Sequence, residues 1–105
     1  MAQVRISRAA LADFDEIMDY LDHVAGRVVA DRYAAQFTAV FDMIAVHPGA
    51  GALRHKLGRD TRLLSVPPYA IYYDGQPKSD TAVVLRILRG RRKATRALLG
   101  EGLQE

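Results

Sequence analysis

The groups in this sequence that could do chemistry are mostly guanidinium groups, and they are unevenly placed. The first 53 residues carry four Lys/Arg against seven Asp/Glu, and the remaining 52 carry eleven against five. The halves are therefore net −3 and +6, which together make the formal charge of +3. Arg54, Lys56 and Arg62 stand in the middle of the chain; Arg86, Arg89, Arg91, Arg92, Lys93 and Arg96 stand toward its end. A face built from them attracts anions, and composition does not choose between a nucleic acid and an acidic protein. Other reactive groups are scarce. Cysteine is absent, which removes disulfides and thiolate chemistry. His23, His47 and His55 have no neighbouring ligand pattern, so neither a metal site nor a cofactor is expected. Gly49, Gly51 and Gly58 read as turn residues, because no nucleotide-binding glycine spacing exists.

The elements that must position these groups can be read from periodicity. Gln3–Ser7 alternates as a short strand, and Ser7 can cap a following helix. From Arg8, the residues Leu11, Phe14, Ile17, Met18 and Leu21 make one helical stripe. Asp13, Asp15, Glu16, Asp19 and Asp22 are read as the acidic solvent face of that helix. Gly26 marks a stop. A second helix, roughly Arg27–Val46, carries Val29, Tyr33, Phe37, Val40, Phe41 and Ile44, and is ended by Pro48. Two such helices joined by a tight turn predict an antiparallel hairpin.

Ala50–Thr61 is expected to be irregular. Three strands follow, at Arg62–Val66, Tyr69–Asp74 and Thr81–Leu88, with Asp74–Asp80 as the loop between the last two. Strict alternation puts Val83, Leu85 and Ile87 on one face of the last strand and Val84, Arg86 and Leu88 on the other. The tail is expected to hold a short helix around Ala94–Leu99 and to lose order from about residue 97. The fold class is thus α+β, in the order β-α-α-β-β-β: an N-terminal helical hairpin on a mostly antiparallel four-stranded sheet. Residues 1–105 are expected to form one domain. The N-terminal stretch has no signal-peptide core, and no run approaches ~18 apolar residues, so a soluble cytoplasmic protein away from the membrane is expected.

This order and several local motifs resemble the RelE/ParE toxin superfamily of type II toxin–antitoxin systems, on its ParE-like branch. The resemblance runs from about Val4 to Arg92. It is carried by Ala9 or Ala10, Asp13-Phe14, Ile17 and Tyr20-Leu21 in the first helix, and by Pro48, Gly51 and Arg54 after the second. It continues through Arg62 with Tyr69-Ala70-Ile71-Tyr72-Tyr73, and through the segment Arg86–Arg92. Arg89 replaces a histidine usual in the family, and Lys93 an acidic residue.

The resemblance implies one of two activities. RelE-like members cut messenger RNA on the ribosome. Here that reading would place Arg54, Lys56, Arg62, Arg86 and Arg92 around the RNA backbone. Such cleavage also needs a group that moves protons near neutral pH. After Tyr73 the chain has no Tyr, His or Cys, and Arg89 stays protonated. His55, or Lys56 with a lowered pKa, would have to serve from the loop. ParE-like members instead poison DNA gyrase by binding it. That needs a recognition surface, here a basic face of Arg54, Arg62, Arg86, Arg89 and Arg92, and no catalytic residue. The non-enzymatic reading is preferred. A degenerate member that only binds its antitoxin is the third alternative. The resemblance also implies a ParD-like antitoxin partner and a hetero-oligomer with it, with direct nucleic-acid binding left open. An amphipathic, often acidic, antitoxin tail would suit apolar pockets rimmed by basic residues.

Plainer roles compete for the same residues. Arg62 and Arg86 could be structural, paired with Asp60 or Asp74. A strand arginine between Val84 and Leu88 is expensive to bury unpaired and requires some partner. The run Arg89–Arg96 reads first as a solvated surface, Arg92 excepted. Tyr69, Tyr72 and Tyr73 read as core residues, with Tyr72 on the opposite face from the other two.

Overall fold

The computed structural model describes residues 1–90 and 94–103. The elements are β1 (Gln3–Ile6), α1 (Arg8–Ala25), α2 (Arg27–Val46), β2 (Ala52–Leu53), β3 (Thr61–Val66), β4 (Tyr69–Asp74), β5 (Thr81–Arg89) and α3 (Arg96–Gly100), with a 3-10 turn at Glu101–Leu103.

Local chemistry sets the helix ends. The Ser7 hydroxyl accepts from the Ala10 N–H at 3.0 Å and donates to the Leu85 carbonyl at 3.0 Å. One buried side chain thus caps α1 and ties its start to β5. Gly26 stands at φ 91°, ψ 168°, a backbone region that is essentially glycine's alone. Its N–H closes α1 on the carbonyls of Leu21 and Asp22, and its carbonyl opens α2 by accepting from Ala30. Because a single residue joins the two helices, the chain reverses tightly and the helices pack as a hairpin.

The sheet order is β1-β5-β4-β3-β2. β1 runs parallel to β5, and the other neighbours are antiparallel. The α+β class and the hairpin-on-sheet arrangement are therefore as expected, but the sheet has five strands and not four. The extra one, β2, pairs only Ala52 with Leu63 and Leu53 with Arg62. Two residues are too few to leave an alternation in the sequence.

β5 is apolar on both faces, and it carries a bulge. Tyr72 pairs with Arg86 but Tyr73 pairs with Val84, so Leu85 is the extra residue. The faces predicted by strict alternation therefore fail beyond Leu85. Val84 and Ile87 both pack under the helices, while Val83, Leu85 and Leu88 join the opposite face.

Two cores result. Phe37, Ile44, Tyr69, Ile71, Tyr73 and Val84 are buried between hairpin and sheet. Leu63, Ala70, Tyr72, Leu85 and Leu99 are buried on the other side. The tyrosines sort between faces as alternation requires. Leu11, read as a core residue, is 52% exposed. Toward the C-terminal end Leu99 is 2% exposed, and α3 packs on the second face. No helix among the described residues is long and apolar enough to cross a membrane.

Candidate functional site

β5 is longer than β1. Their pairing ends at Ile6 with Val84, so among the described residues that edge of β5 meets no strand beyond this point. α1 crosses there instead. Asp13, Glu16, Ile17 and Tyr20 lie at helical spacing on one face of α1 and look across at Arg86, Ile87, Leu88 and Arg89, with Tyr69 at the floor. The groove between them measures about 370 Å³ and opens to solvent. Tyr20 is half exposed on its rim and Arg89 is exposed.

Arg86 is not free to act on a ligand. Its Nε and Nη2 donate to the two carboxylate oxygens of Asp13, each at 2.7 Å. Its Nη1 donates to Glu101 at 2.7 Å. The Arg86 and Asp13 side chains are only 13% and 11% exposed. Asp13 also accepts the Ile87 N–H at 3.0 Å, so its carboxylate takes three donated bonds. It stands in for the strand neighbour that β1 does not reach. The hydrogen bonds and charge of Asp13 push the Arg86 pKa up further. Asp13 was read above as part of the solvent face; it is instead the buried partner that Arg86 requires. It lies 73 residues away in sequence, and neither Asp60 nor Asp74 takes that role.

Arg62 is equally committed, elsewhere. It pairs in register with Tyr73, on the hairpin side of the sheet, whereas Arg86 pairs with Tyr72 on the other side and two strands away. Its Nε donates to the Gly75 carbonyl at 2.9 Å, and its Nη1 to the carbonyls of Gly49 and Gly51 at 3.0 and 2.9 Å. Tyr73 completes this clamp. Its hydroxyl donates to the Pro48 carbonyl and accepts from Gly51, each at 2.8 Å, and burial raises its pKa. Arg62 and Tyr73 together fasten the chain after α2 to the sheet. Asp60 and Asp74, the partners first considered, bind Gln76 and Thr61 instead.

The remaining candidates are dispersed. Arg54 lies in the loop after β2 and donates to its neighbour's carbonyl, Leu53, at 3.2 Å. His55 and Lys56 are exposed in the same loop. Arg89 flanks Tyr69, whose phenol is raised by burial and drawn back partly by Arg89. Arg92 lies outside the described residues. Arg54, Arg62, Arg86 and Arg89 therefore do not form one basic face. Among the described residues, the fold brings together an apolar groove with a neutralised Arg86 and, at its rim, Arg89 in no ion pair. Asp13, Tyr20 and Glu101 were missed as members of this site. The only sequence signal was that a strand arginine between Val84 and Leu88 needs some partner.

Carboxylates and phenols do line the groove beside Arg86, as proton transfer would require. Asp13, however, has its carboxylate oxygens engaged by three donors from Arg86 and Ile87. Tyr69 is shifted away from neutral pH. With Asp13 and Glu16 present, the groove lacks the net positive charge that would hold a phosphate.

A small α+β domain with this hairpin and sheet has solved counterparts. A chain of the chromosomal ParDE TA system from P. aeruginosa superposes with a TM-score of 0.71, at 22% identity, covering 87% of this chain and 98% of that one. The family model for the ParE toxin of the type II toxin-antitoxin system parDE matches residues 4–94. Toxin ParE1 of Caulobacter vibrioides is 34% identical over 73 residues, 70% of this chain and 76% of that protein. The chain belongs to the ParE toxin family of type II toxin–antitoxin systems.

Proposed function

We propose that this protein inhibits growth by binding DNA gyrase, with no catalytic residue of its own, and that a ParD-like antitoxin neutralises it in a hetero-oligomer in the cytoplasm. The observation that carries the non-enzymatic half is the engagement of the two strand arginines. Arg86 is bound by two carboxylates and Arg62 by three carbonyls. Cleavage of RNA needs cations free to bind a phosphate and a base free to take a proton. The Arg86 charge is met by carboxylates and the Arg62 donors are spent on carbonyls, and the two stand on different faces.

The groove supports the antitoxin half. Ile17, Tyr20, Tyr69, Ile87 and Leu88 offer apolar surface, Arg89 offers a cation, and the edge of β5 beyond Val84 has no neighbouring strand. An amphipathic segment with an acidic residue fits that combination.

The deciding experiment pairs two assays. Purified protein added to gyrase and supercoiled DNA is expected to accumulate trapped cleavage complexes. Added to translating ribosomes, it is expected to leave messenger RNA intact. Messenger breaks without cleavage complexes would overturn the proposal in favour of a ribonuclease. Silence in both, with no growth defect, would leave an antitoxin-binding module. The antitoxin encoded beside it is expected to raise its melting temperature; no rise would remove the antitoxin half.

A further inference from the structure

α2 is apolar on two sides. Its inner side, with Phe37 and Ile44, is core. Its outer side presents Val28, Arg32, Ala35, Ala39, Asp42, Met43 and Val46, all exposed. Their spacing of four, three, four, three and four residues (Met43 beside Asp42) makes one helical stripe. Val28 is 74%, Met43 44% and Val46 52% exposed. Nothing in the described chain covers this stripe.

The order of side chains along it is close to palindromic. If a second α2 lies antiparallel with the two-fold axis at the level of residue 37, then Val28 meets Val46, Ala35 meets Ala39 and Arg32 meets Asp42, each twice. Self-complementarity of this kind is what an isologous contact demands. Each feature has a physical use. Ala35 and Ala39 at the centre let the helix axes approach to about 8 Å. Val28 and Val46 seal both ends. Arg32 and Asp42 are in no ion pair among the described residues, so each keeps its charge for a partner. A parallel arrangement would instead set Arg32 against Arg32 and Asp42 against Asp42.

We propose that the outer face of α2 binds a second copy of this chain, antiparallel, in a two-fold dimer of the free protein. The contact involves one helix per copy, smaller than the ~1,200 Å² at which specific complexes usually become stable. It therefore forms at high concentration and dissociates on dilution. It leaves the groove along β5 open, since that groove faces α1.

The absence of cysteine makes the register directly testable. Val28→Cys and Val46→Cys are made as separate proteins. In the dimer, like positions are about 27 Å apart at 1.5 Å per residue, whereas unlike positions are adjacent. An equimolar mixture is expected to cross-link under mild oxidation, and each variant alone is not. Sedimentation velocity of the unmodified chain from about 1 µM to about 1 mM should show its mass rising toward that of two copies. Arg32→Asp or Asp42→Arg alone should weaken the dimer about tenfold, and the two together should restore it to within about twofold. These positions are exposed, so circular dichroism should show unchanged folding. A chain that stays monomeric throughout, or cross-links equally in either variant alone, overturns the proposal. Protection of the α2 face only in the antitoxin complex also overturns it, and assigns the face to the antitoxin.

Discussion

At the scale of single residues, the chemistry of this protein is set by how its charges are consumed. Asp13 holds Arg86 with two bonds and the Ile87 amide with a third, with both side chains largely withdrawn from solvent. Glu101, 57% exposed, adds little. Asp13→Ala would leave a buried guanidinium with one surface partner, at a cost of about 3 kcal/mol. For a chain of this size thermal denaturation should show a melting temperature lower by roughly 12 °C or more. A drop of only 1–2 °C, within the roughly ±0.5 kcal/mol of an ordinary surface change, would mean that Arg86 finds solvent instead. Asp74 shows the opposite behaviour. Burial raises its pKa above 3.8, the Thr61 hydrogen bond opposes this, and Asp60 reinforces it. The folded state thus holds this proton to higher pH than the unfolded chain does. Stability from this group is full below about 3.8 and is lost as pH rises through the folded value. Asp74→Asn keeps an acceptor for Thr61 and cannot ionise. Its melting temperature, relative to the unmodified protein, should therefore climb between about pH 4 and pH 7. A difference that stays constant with pH would refute the assignment.

Elements are joined here by single residues, which makes the joints sensitive. Gly26 is both the end of α1 and the start of α2, at a φ of 91°. A Cβ there would touch nothing within 4 Å, so Gly26→Ala tests backbone strain alone. It should cost about 1–3 kcal/mol, read as a lower urea midpoint with an unchanged slope. Much of this element scale was legible in sequence. The stripes of both helices, the caps at Ser7 and Gly26 and the alternation of β4 depend on residues a few positions apart. The bulge at Leu85 was not legible, because it is decided by how β5 must pair with β4 on one side and receive α1 on the other. Nor was β2, a two-residue pairing with β3 beside the segment that Arg62 and Tyr73 hold.

For the whole molecule, the point of consequence is that the sheet is covered on both sides. α3 is short, yet Leu99 fills the second core with Leu63, Tyr72 and Leu85. Gly102 sits so close to the backbone of Leu85 that a Cβ would lie 2.5 Å from its carbonyl oxygen. The tail is thus seated on the bulge itself. Leu99→Ala should cost about 2–4 kcal/mol, measured by denaturant unfolding. A cost under ~0.5 kcal/mol would mean that the tail adds no stability. The same two-sided cover explains why the groove opens only along the edge of β5: both sheet faces are already occupied.

The sequence by itself determined the helical hairpin, the strands β1, β3, β4 and β5, the family, and the excess of cations in the second half. Each of these is written in local periodicity, local caps or motifs of fixed spacing. Only the tertiary structure decided what those cations do. Whether an arginine meets a phosphate, a carboxylate or a carbonyl depends on groups brought beside it from 11 to 73 residues away. Spacing along a chain carries no record of that encounter. It is created when α1 crosses the unpaired end of β5 and when the loop after α2 folds back on Arg62.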